Sequence, residues 1–147
     1  MDELDYVLGG RPPANDQLRD CQMLERVIKE SMRILPPVPY TIRAATAAAE
    51  IGGYKVPKGA RVICSHFLTP HLSYLYPEPE EFRPQRWLTI VPSPFEYMPF
   101  SAGSRMCIGY MFAMQALKIS VSMILRRFRL QVVAGGRIDR VVWTFFP

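Results

Sequence analysis

A single cysteine stands just ahead of the longest helical pattern in the chain. Residues 100–109 read Phe-Ser-Ala-Gly-Ser-Arg-Met-Cys-Ile-Gly, and apolar residues at helical spacing follow them. The positive end of a helix dipole and its free backbone N–H groups favour the thiolate form of a cysteine placed there. Cys107 is therefore a candidate nucleophile or metal ligand.

The neighbours of this cysteine suit a ligand of a particular shape and charge. Gly103 and Gly109 permit backbone conformations and a close approach that a side chain would block. Arg105 presents a planar fork of donors that matches a carboxylate, and Phe100 can cover one side of the sulfur. These residue types together predict a site for a flat, anionic ligand that contains a metal.

The spacing Phe-x-x-Gly-x-Arg-x-Cys-x-Gly resembles the haem-ligand signature of the cytochrome P-450 superfamily of haem-thiolate monooxygenases. The resemblance implies that Cys107 is the axial thiolate ligand of the iron in haem b. It also implies that Arg105 binds a haem propionate, that Phe100 packs beside the sulfur, and that Gly103 and Gly109 shape the loop. It implies no catalytic residue in this chain beyond the haem ligand.

A second constellation is the Glu-x-x-Arg pair Glu30 and Arg33, which share one face of a helical pattern. The ordinary interpretation of such a pair is an exposed ion pair worth about 0.2–0.5 kcal/mol. This pair is followed by two prolines, by short strands, by the segment 82–87 and by residues 100–109, the cysteine loop. This order resembles that of the family. The resemblance implies that Glu30, Arg33 and Arg86 form a buried charge triad, whose structural role is to hold the segment 70–99 against the helix.

Arg43 interrupts an otherwise apolar strand pattern and has two interpretations. It is either a strand residue that faces solvent or, because the family places an arginine on the equivalent strand, a second ligand of a haem propionate.

The other residues that could bind a metal have ordinary explanations. His66 and His71 have no cysteine or carboxylate at a suitable spacing, so we expect loop histidines. Cys21 and Cys64 lie in helical and strand patterns, where a cysteine is usually a small buried hydrophobic residue. Three cysteines without a Cys-x-x-Cys pair favour free thiols over a disulfide framework.

The elements that must position these residues follow a mixed order. Leu4, Val7 and Leu8 predict a short helix ended by two glycines, and its length suggests that earlier turns are missing. The later patterns are a helix over 20–33, antiparallel strands of a small sheet over 40–65, a proline-rich ordered meander over 70–99, a helix over 108–127 and a hairpin over 128–146. Aromatic side chains are expected to anchor the meander to a core, namely Phe82, Trp87, Phe95 and Tyr97. The long helix offers apolar side chains for burial, namely Phe112, Leu117, Val121, Ile124 and Leu125. The sequence thus predicts an α+β chain.

Composition excludes several classes of protein. A length of 147 residues allows one domain, and 49% hydrophobic with 21% charged residues excludes a disordered tail. Lys118 interrupts the longest apolar stretch, so we expect no membrane span. The net charge of +5 comes from scattered cations without a recognised motif, which makes a nucleic-acid-binding module the weakest hypothesis.

The resemblance covers essentially all of residues 1–147 and implies the C-terminal, proximal-haem portion of one mainly helical cytochrome P-450 domain, truncated and without its distal helices. The implied reaction inserts one atom of O₂ into a small lipophilic organic substrate. Electrons would come from an acidic flavin or iron–sulfur partner that docks on the basic side of the cysteine loop, near Arg105, Lys118, Arg126 and Arg127. The other interpretation of these cations is a solvated helix end, where positive charges are favourable for the helix dipole.

The alternative is a non-catalytic, truncated haem-binding remnant. With no distal helix to cover the haem face, such a chain would aggregate or dimerise and retain haem weakly.

The resemblance leaves the cellular location open. Microsomal members of the family have an N-terminal anchor and bacterial members usually lack one. A microsomal protein would be membrane-anchored through a missing N-terminal segment, and a bacterial one would be cytoplasmic.

Overall fold

The computed structural model describes residues 2–14 and 16–135. In this part of the chain two helices come first, four short antiparallel strands follow, and a third helix comes last. The helices and strands are α1 Asp2–Leu8, α2 Gln22–Ile34, β1 Tyr40–Ala44, β2 Ala49–Ile51, β3 Tyr54–Val56, β4 Arg61–Ser65 and α3 Tyr110–Arg127. Short 3₁₀ helices occupy Gln17–Arg19, Thr69–His71, Pro84–Leu88 and Gly103–Arg105. This mixture confirms the predicted α+β class.

The three α-helices enclose the main apolar core. Its buried members come from α1, the following turn and α2, and they are Leu4, Leu8, Leu18, Cys21, Leu24, Ile28 and Met32. Partly buried side chains of α3, among them Met114 and Val121, pack against this cluster together with Phe100 from the cysteine loop. Because burial raises the pKa of the Cys21 thiol, this cysteine stays protonated in the core, as its helical position predicts.

Helix α2 begins two residues later than the pattern indicates, at Gln22. A carboxylate from α1 caps it: Glu3 Oε1 accepts a hydrogen bond from the Met23 N–H at 2.8 Å, and Oε2 accepts one from the Leu24 N–H at 3.0 Å. The first N–H groups of a helix have no partner within the helix, and a negative charge there is favourable. Glu3 therefore joins α1 to the start of α2.

The strands form two separate two-stranded sheets, whereas the sequence predicts a single small sheet. β1 pairs with β4, so that Tyr40 lies opposite Ser65, and β2 pairs with β3 around Gly52 and Gly53, whose φ values of +57° and +82° make a tight turn. Cys64 lies on an exposed part of β4, so the prediction that it is buried is wrong.

The segment after β4 has little regular structure, as its prolines predict. Trp87 and Tyr97 are half-buried and contact α2, whereas the expectation that Phe82 and Phe95 also anchor the segment is wrong, since both are exposed. Tyr76, which the sequence does not single out, is buried.

Helix α3 begins at Tyr110, two residues later than predicted, because the cysteine and its neighbours form a turn before it. Val121 and Leu125 pack on the core, but Phe112, Leu117 and Ile124 are exposed, which contradicts their predicted burial. A cross-helix ion pair joins α3 to α2: Lys118 Nζ lies 2.8 Å from Glu25 Oε2.

Most of the predicted C-terminal hairpin lies outside the described residues, which end at 135, and residues 128–135 contain no strand. Within 2–14 and 16–135, no helix is long and apolar enough to cross a membrane.

We expect Glu3→Ala to lower the free energy of unfolding by about 1 kcal/mol, because two N–H groups at the start of α2 lose their acceptor. Asp5→Ala is the matched control, since Asp5 is an exposed carboxylate on the same helix. Urea titrations followed by circular dichroism measure both variants. Equal loss in the two variants would contradict a specific capping role for Glu3.

The pH dependence of stability should reveal the charge of Glu25. Hydrogen bonds from Lys118 and then Lys29 lower the pKa of Glu25 to about 2 against an ordinary value of 4.5. A lowered pKa means that stability is present above pH 4.5 and is lost as the pH falls towards 2. Solvent screens this partly exposed pair, so we expect Glu25→Gln to cost about 1 kcal/mol at pH 6 and the difference from the unsubstituted chain to vanish near pH 2.

Candidate cofactor site

The fully buried carboxylate of Glu30 is the centre of a hydrogen-bond network. Its Oε1 accepts from Arg33 Nη2 at 3.0 Å, from Arg86 Nε at 2.9 Å and from the backbone N–H of Arg83 at 2.9 Å. Its Oε2 accepts from Arg33 Nε at 3.0 Å and from the indole N–H of Trp87 at 3.0 Å. Five donors from α2 and the meander therefore surround one buried charge.

The two guanidinium groups donate their remaining N–H groups to backbone carbonyls of the meander. Arg33 donates to the carbonyls of Pro70 at 2.9 Å and Glu81 at 3.2 Å. Arg86 donates to three carbonyls, those of Pro77 at 2.7 Å, Glu78 at 3.1 Å and Glu81 at 3.2 Å. These contacts supply donors to an irregular segment that has no strand or helix partner for its carbonyls.

The structure thus brings Glu30, Arg33 and Arg86 together, with Arg33 and Glu30 fully buried and Arg86 8% exposed. Burial raises the pKa of Glu30, but hydrogen bonds from Arg33, the Arg83 backbone and Arg86 outweigh it, so that the pKa lies below its ordinary value. The cluster contains one carboxylate and two guanidinium groups and therefore has a net charge of +1. The Tyr76 ring lies 5.5 Å from the Arg33 guanidinium carbon and helps to stabilise that excess charge.

Three aromatic side chains extend the network towards the cysteine loop. Trp87 contacts Tyr97 edge-on at 4.7 Å and Tyr76 at 6.4 Å between ring centroids. The Tyr97 hydroxyl donates to the Lys29 carbonyl on α2 at 3.0 Å, and the Tyr76 hydroxyl donates to the Glu96 carbonyl at 3.2 Å. Burial raises the pKa of Tyr76 to about 12 and also raises that of Tyr97, which keeps both hydroxyls protonated.

Sequence reasoning missed the hydrogen-bonding role of these aromatic residues. Trp87 and Tyr97 were expected only as apolar anchors, yet each donates a polar hydrogen to α2. The available signal was that buried Trp and Tyr side chains normally find a partner for their N–H or O–H.

The cysteine loop is closed by backbone hydrogen bonds. The Cys107 N–H donates to the Phe100 carbonyl at 2.9 Å, and the Met106 N–H donates to the Gly103 carbonyl at 3.1 Å. The chain turns sharply between these bonds, with φ of +62° at Ser101 and +67° at Gly103. The loop therefore presents Cys107 in a defined backbone conformation ahead of α3.

The surroundings of the sulfur are open on one side. Cys107 is exposed, and a Cβ atom placed on Gly109 would lie 3.7 Å from its Sγ, so the glycine brings backbone next to the sulfur. The Phe100 ring packs edge-on against Tyr110 at 5.1 Å and contacts the core. Ile108 and its neighbours on α3 are exposed apolar residues.

The two arginines that the resemblance assigns to propionates both lie at the surface. Arg105 is exposed in the 3₁₀ turn of the loop, and Arg43 is exposed on β1, where its Nη1 donates to the Ile42 carbonyl at 3.0 Å. In the described residues, neither guanidinium is paired with a carboxylate.

The cysteine sulfur, the exposed apolar side chains and the two guanidinium groups match the chemistry of a metal-containing macrocycle with carboxylate side chains. A cysteine sulfur suits iron, an exposed apolar surface suits a flat ring, and guanidinium groups suit carboxylates. Within the described residues, no group of three His, Cys, Asp or Glu side chains could hold a metal ion by itself. An exposed cysteine sulfur such as that of Cys107 suits a metal that a cofactor supplies.

Neither histidine joins this site. His66 lies in the turn after β4 and is buried, with its Nε2 3.3 Å from Thr41 Oγ1, and burial lowers its pKa. His71 donates from Nδ1 to the Phe67 carbonyl at 2.7 Å.

The chain is similar to proteins of one family. A family model described as Cytochrome P450 matches residues 1–142. A protein of Mus musculus, "Cytochrome P450 4V2", is 40% identical over 131 residues, which are 86% of this chain and 25% of that protein. A protein of Streptomyces melanosporofaciens, "Cyclooctat-9-en-7-ol 5-monooxygenase", is 37% identical over 136 residues, which are 90% of this chain and 30% of that protein. The chain spans 25% and 30% of the length of these two curated relatives.

The charge balance of the network predicts which substitution is most harmful. Glu30→Gln leaves two buried guanidinium groups without a counter-charge, so we expect the free energy of unfolding to fall by about 3–5 kcal/mol. Glu50→Gln is the control, because Glu50 is exposed on β2 and should change stability by less than about 0.5 kcal/mol.

Denaturation by urea, followed by tryptophan fluorescence, measures both variants. Because Arg33→Met and Arg86→Met each leave one carboxylate with one guanidinium, we expect both to be milder than Glu30→Gln. The reverse order would contradict the central role of the carboxylate.

Proposed function

The chain belongs to the cytochrome P450 family, and on that premise we propose that it forms the haem-thiolate side of a monooxygenase. Cys107 is the proposed axial ligand of the iron, and haem b is the proposed cofactor. The observation that carries this proposal is the closed loop of residues 100–107, which presents an exposed sulfur beside Gly109.

When bound, the haem supplies the oxygen chemistry, because a thiolate ligand pushes electron density onto iron and favours O–O cleavage. The work of this chain is to hold and shape that ligand. The backbone turn at Ser101 and Gly103 and the bond from the Cys107 N–H to the Phe100 carbonyl set the direction of the sulfur. The absence of a side chain at Gly109 leaves room beside it.

Two exposed arginines are the proposed binding partners of the acidic groups of the haem. Arg105 on the loop and Arg43 on β1 are the proposed partners of the two haem propionates. A guanidinium binds a carboxylate through two parallel hydrogen bonds, which would orient the ring as well as attract it. The apolar side chains around Ile108 would then contact the ring face.

Electron supply is proposed to come from an acidic flavin or iron–sulfur protein. Arg105 and Arg127 are exposed and support such a docking surface. The expectation that Lys118 belongs to this surface is wrong, because Lys118 is 12% exposed and paired with Glu25. Arg126 is also engaged, since its Nη1 donates to the Arg11 carbonyl.

The proposed reaction is insertion of one atom of O₂ into a lipophilic organic molecule, with residues 1–147 as the proximal part of one domain. A haem-binding chain without monooxygenase activity is the second candidate. The exposed apolar residues Ile108, Met111 and Phe112 favour it, because nothing in the described residues covers that side of the cysteine loop.

We expect the chain, supplied with haem, reduced and exposed to carbon monoxide, to show the red-shifted Soret band of a thiolate ligand. Cys107→Ala should abolish the band because the sulfur ligand is lost. Cys64→Ala is the matched control, since Cys64 is also an exposed thiol and should leave the band unchanged.

Loss of the band in both variants, or its persistence without Cys107, would contradict the proposed ligand. Substrate oxidation with a chemical or protein electron donor separates the two candidates. A thiolate band without any oxidised product favours the non-catalytic haem protein.

A further inference from the structure

The carboxylate of Glu25 binds one lysine from each of two helices. Its Oε1 lies 2.8 Å from Lys29 Nζ one turn further along α2, and its Oε2 lies 2.8 Å from Lys118 Nζ on α3. The Lys118 side chain is only 12% exposed, so this contact is shielded more than an ordinary surface ion pair. In the described part of the chain, it is the one ion pair that joins α2 to α3.

The side chains of α3 that pack against the core cluster are apolar, and a further polar contact of α3 runs from Arg126 to the Arg11 carbonyl. Met114, Ile119, Val121 and Leu125 pack against the cluster that contains Leu24 and Ile28. Apolar burial has no preferred direction, so it holds the helices together without setting their register. A hydrogen-bonded ion pair has a defined geometry, and a slip of one helical turn, about 5.4 Å, would break it.

Helix α2 also holds the segment on the other side of the cysteine loop. Glu30 lies five residues after Glu25, or about 7.5 Å along the helix axis, and it receives Arg86 and Trp87 from the meander. The cysteine loop therefore runs between two segments that are both bonded to α2, one before it and one after it.

We propose that Glu25 and Lys118 are positioning residues that set α3, and with it Cys107, against α2. The loop is continuous with α3, since the Tyr110 N–H donates to the Cys107 carbonyl at 3.3 Å and the Ala113 N–H donates to the Gly109 carbonyl at 2.8 Å. A displacement of the helix therefore moves the cysteine. The consequence for haem ligation rests on the proposed function, whereas the effect on the loop does not.

The test compares the two lysines that share Glu25. Lys118→Met removes the partner on α3, and Lys29→Met removes the partner on α2 itself as a matched control. The first measurement needs no haem: hydrogen exchange at the Cys107 amide, which is bonded to the Phe100 carbonyl. We expect this exchange to be about threefold faster in Lys118→Met and unchanged in Lys29→Met.

A charge reversal provides the rescue. Glu25→Lys combined with Lys118→Glu restores an ion pair between the helices, so exchange at Cys107 should return towards its original rate. Amides in the middle of α2, such as that of Ile28, report general unfolding. Equal acceleration at Ile28 and Cys107, or equal effects of the two lysine substitutions, would overturn the proposal.

The second measurement uses the chain loaded with haem. We expect Lys118→Met to lower the fraction of the carbon monoxide complex that shows the thiolate band, whereas Lys29→Met should leave that fraction unchanged. If the unsubstituted chain shows no thiolate band but Cys107 exchange responds as expected, the proposed function fails and the positioning role stands. If the band is present and exchange does not respond, the positioning role fails alone.

Discussion

The burial of the Glu30 carboxylate is the constraint on which the rest of the structure depends. A charge removed from water is tolerated only where donors surround it, and within α2 the donors to Glu30 come from Arg33. The other donors belong to the segment 83–87, so α2 and the meander must meet for either to be stable. The same contact satisfies the meander, because the arginines donate to its carbonyls. An irregular proline-rich segment thus obtains a defined conformation without forming a sheet or a long helix.

Helix α2 acts as a common base for three other parts of the chain. Glu3 of α1 caps its first turn, Lys118 of α3 binds Glu25 at the end of that turn, and the meander binds Glu30 in the third turn. Apolar packing among the helices determines how close they lie, whereas these polar contacts determine how they are aligned. Because the cysteine loop connects two of the attached segments, its backbone conformation depends on contacts that are remote from the sulfur. This division explains why residues without any chemistry of their own are needed to position the cysteine loop.

The sequence predicts the local features of this fold better than the distant ones. Helical spacing located α2 and α3 to within two residues, and proline content located the irregular segment, because both depend on neighbours in the chain. Sequence patterns do not show which faces of α3 and β4 find a partner, so the expected burial of Phe112 and Cys64 was wrong. The contacts of Trp87 with Glu30 and of Lys118 with Glu25 depend on residues 57 and 93 positions apart. No local pattern identifies such pairs, and the meeting of Glu30 with Arg86 was foreseen only through a family resemblance.

The sequence separation within the Glu30 network also has a consequence for synthesis of the chain. Arg33 is added three residues after Glu30, but Arg86 follows 56 residues after it. At a ribosomal rate of about 5–20 residues per second, the carboxylate waits about 3–11 s for its second guanidinium. During that interval Arg33 is the guanidinium partner within reach of the Glu30 carboxylate, and water must solvate the rest of its charge. The meander therefore completes the contacts of Glu30 first, and α3, which is synthesised later, completes those of Glu25 and of the apolar core.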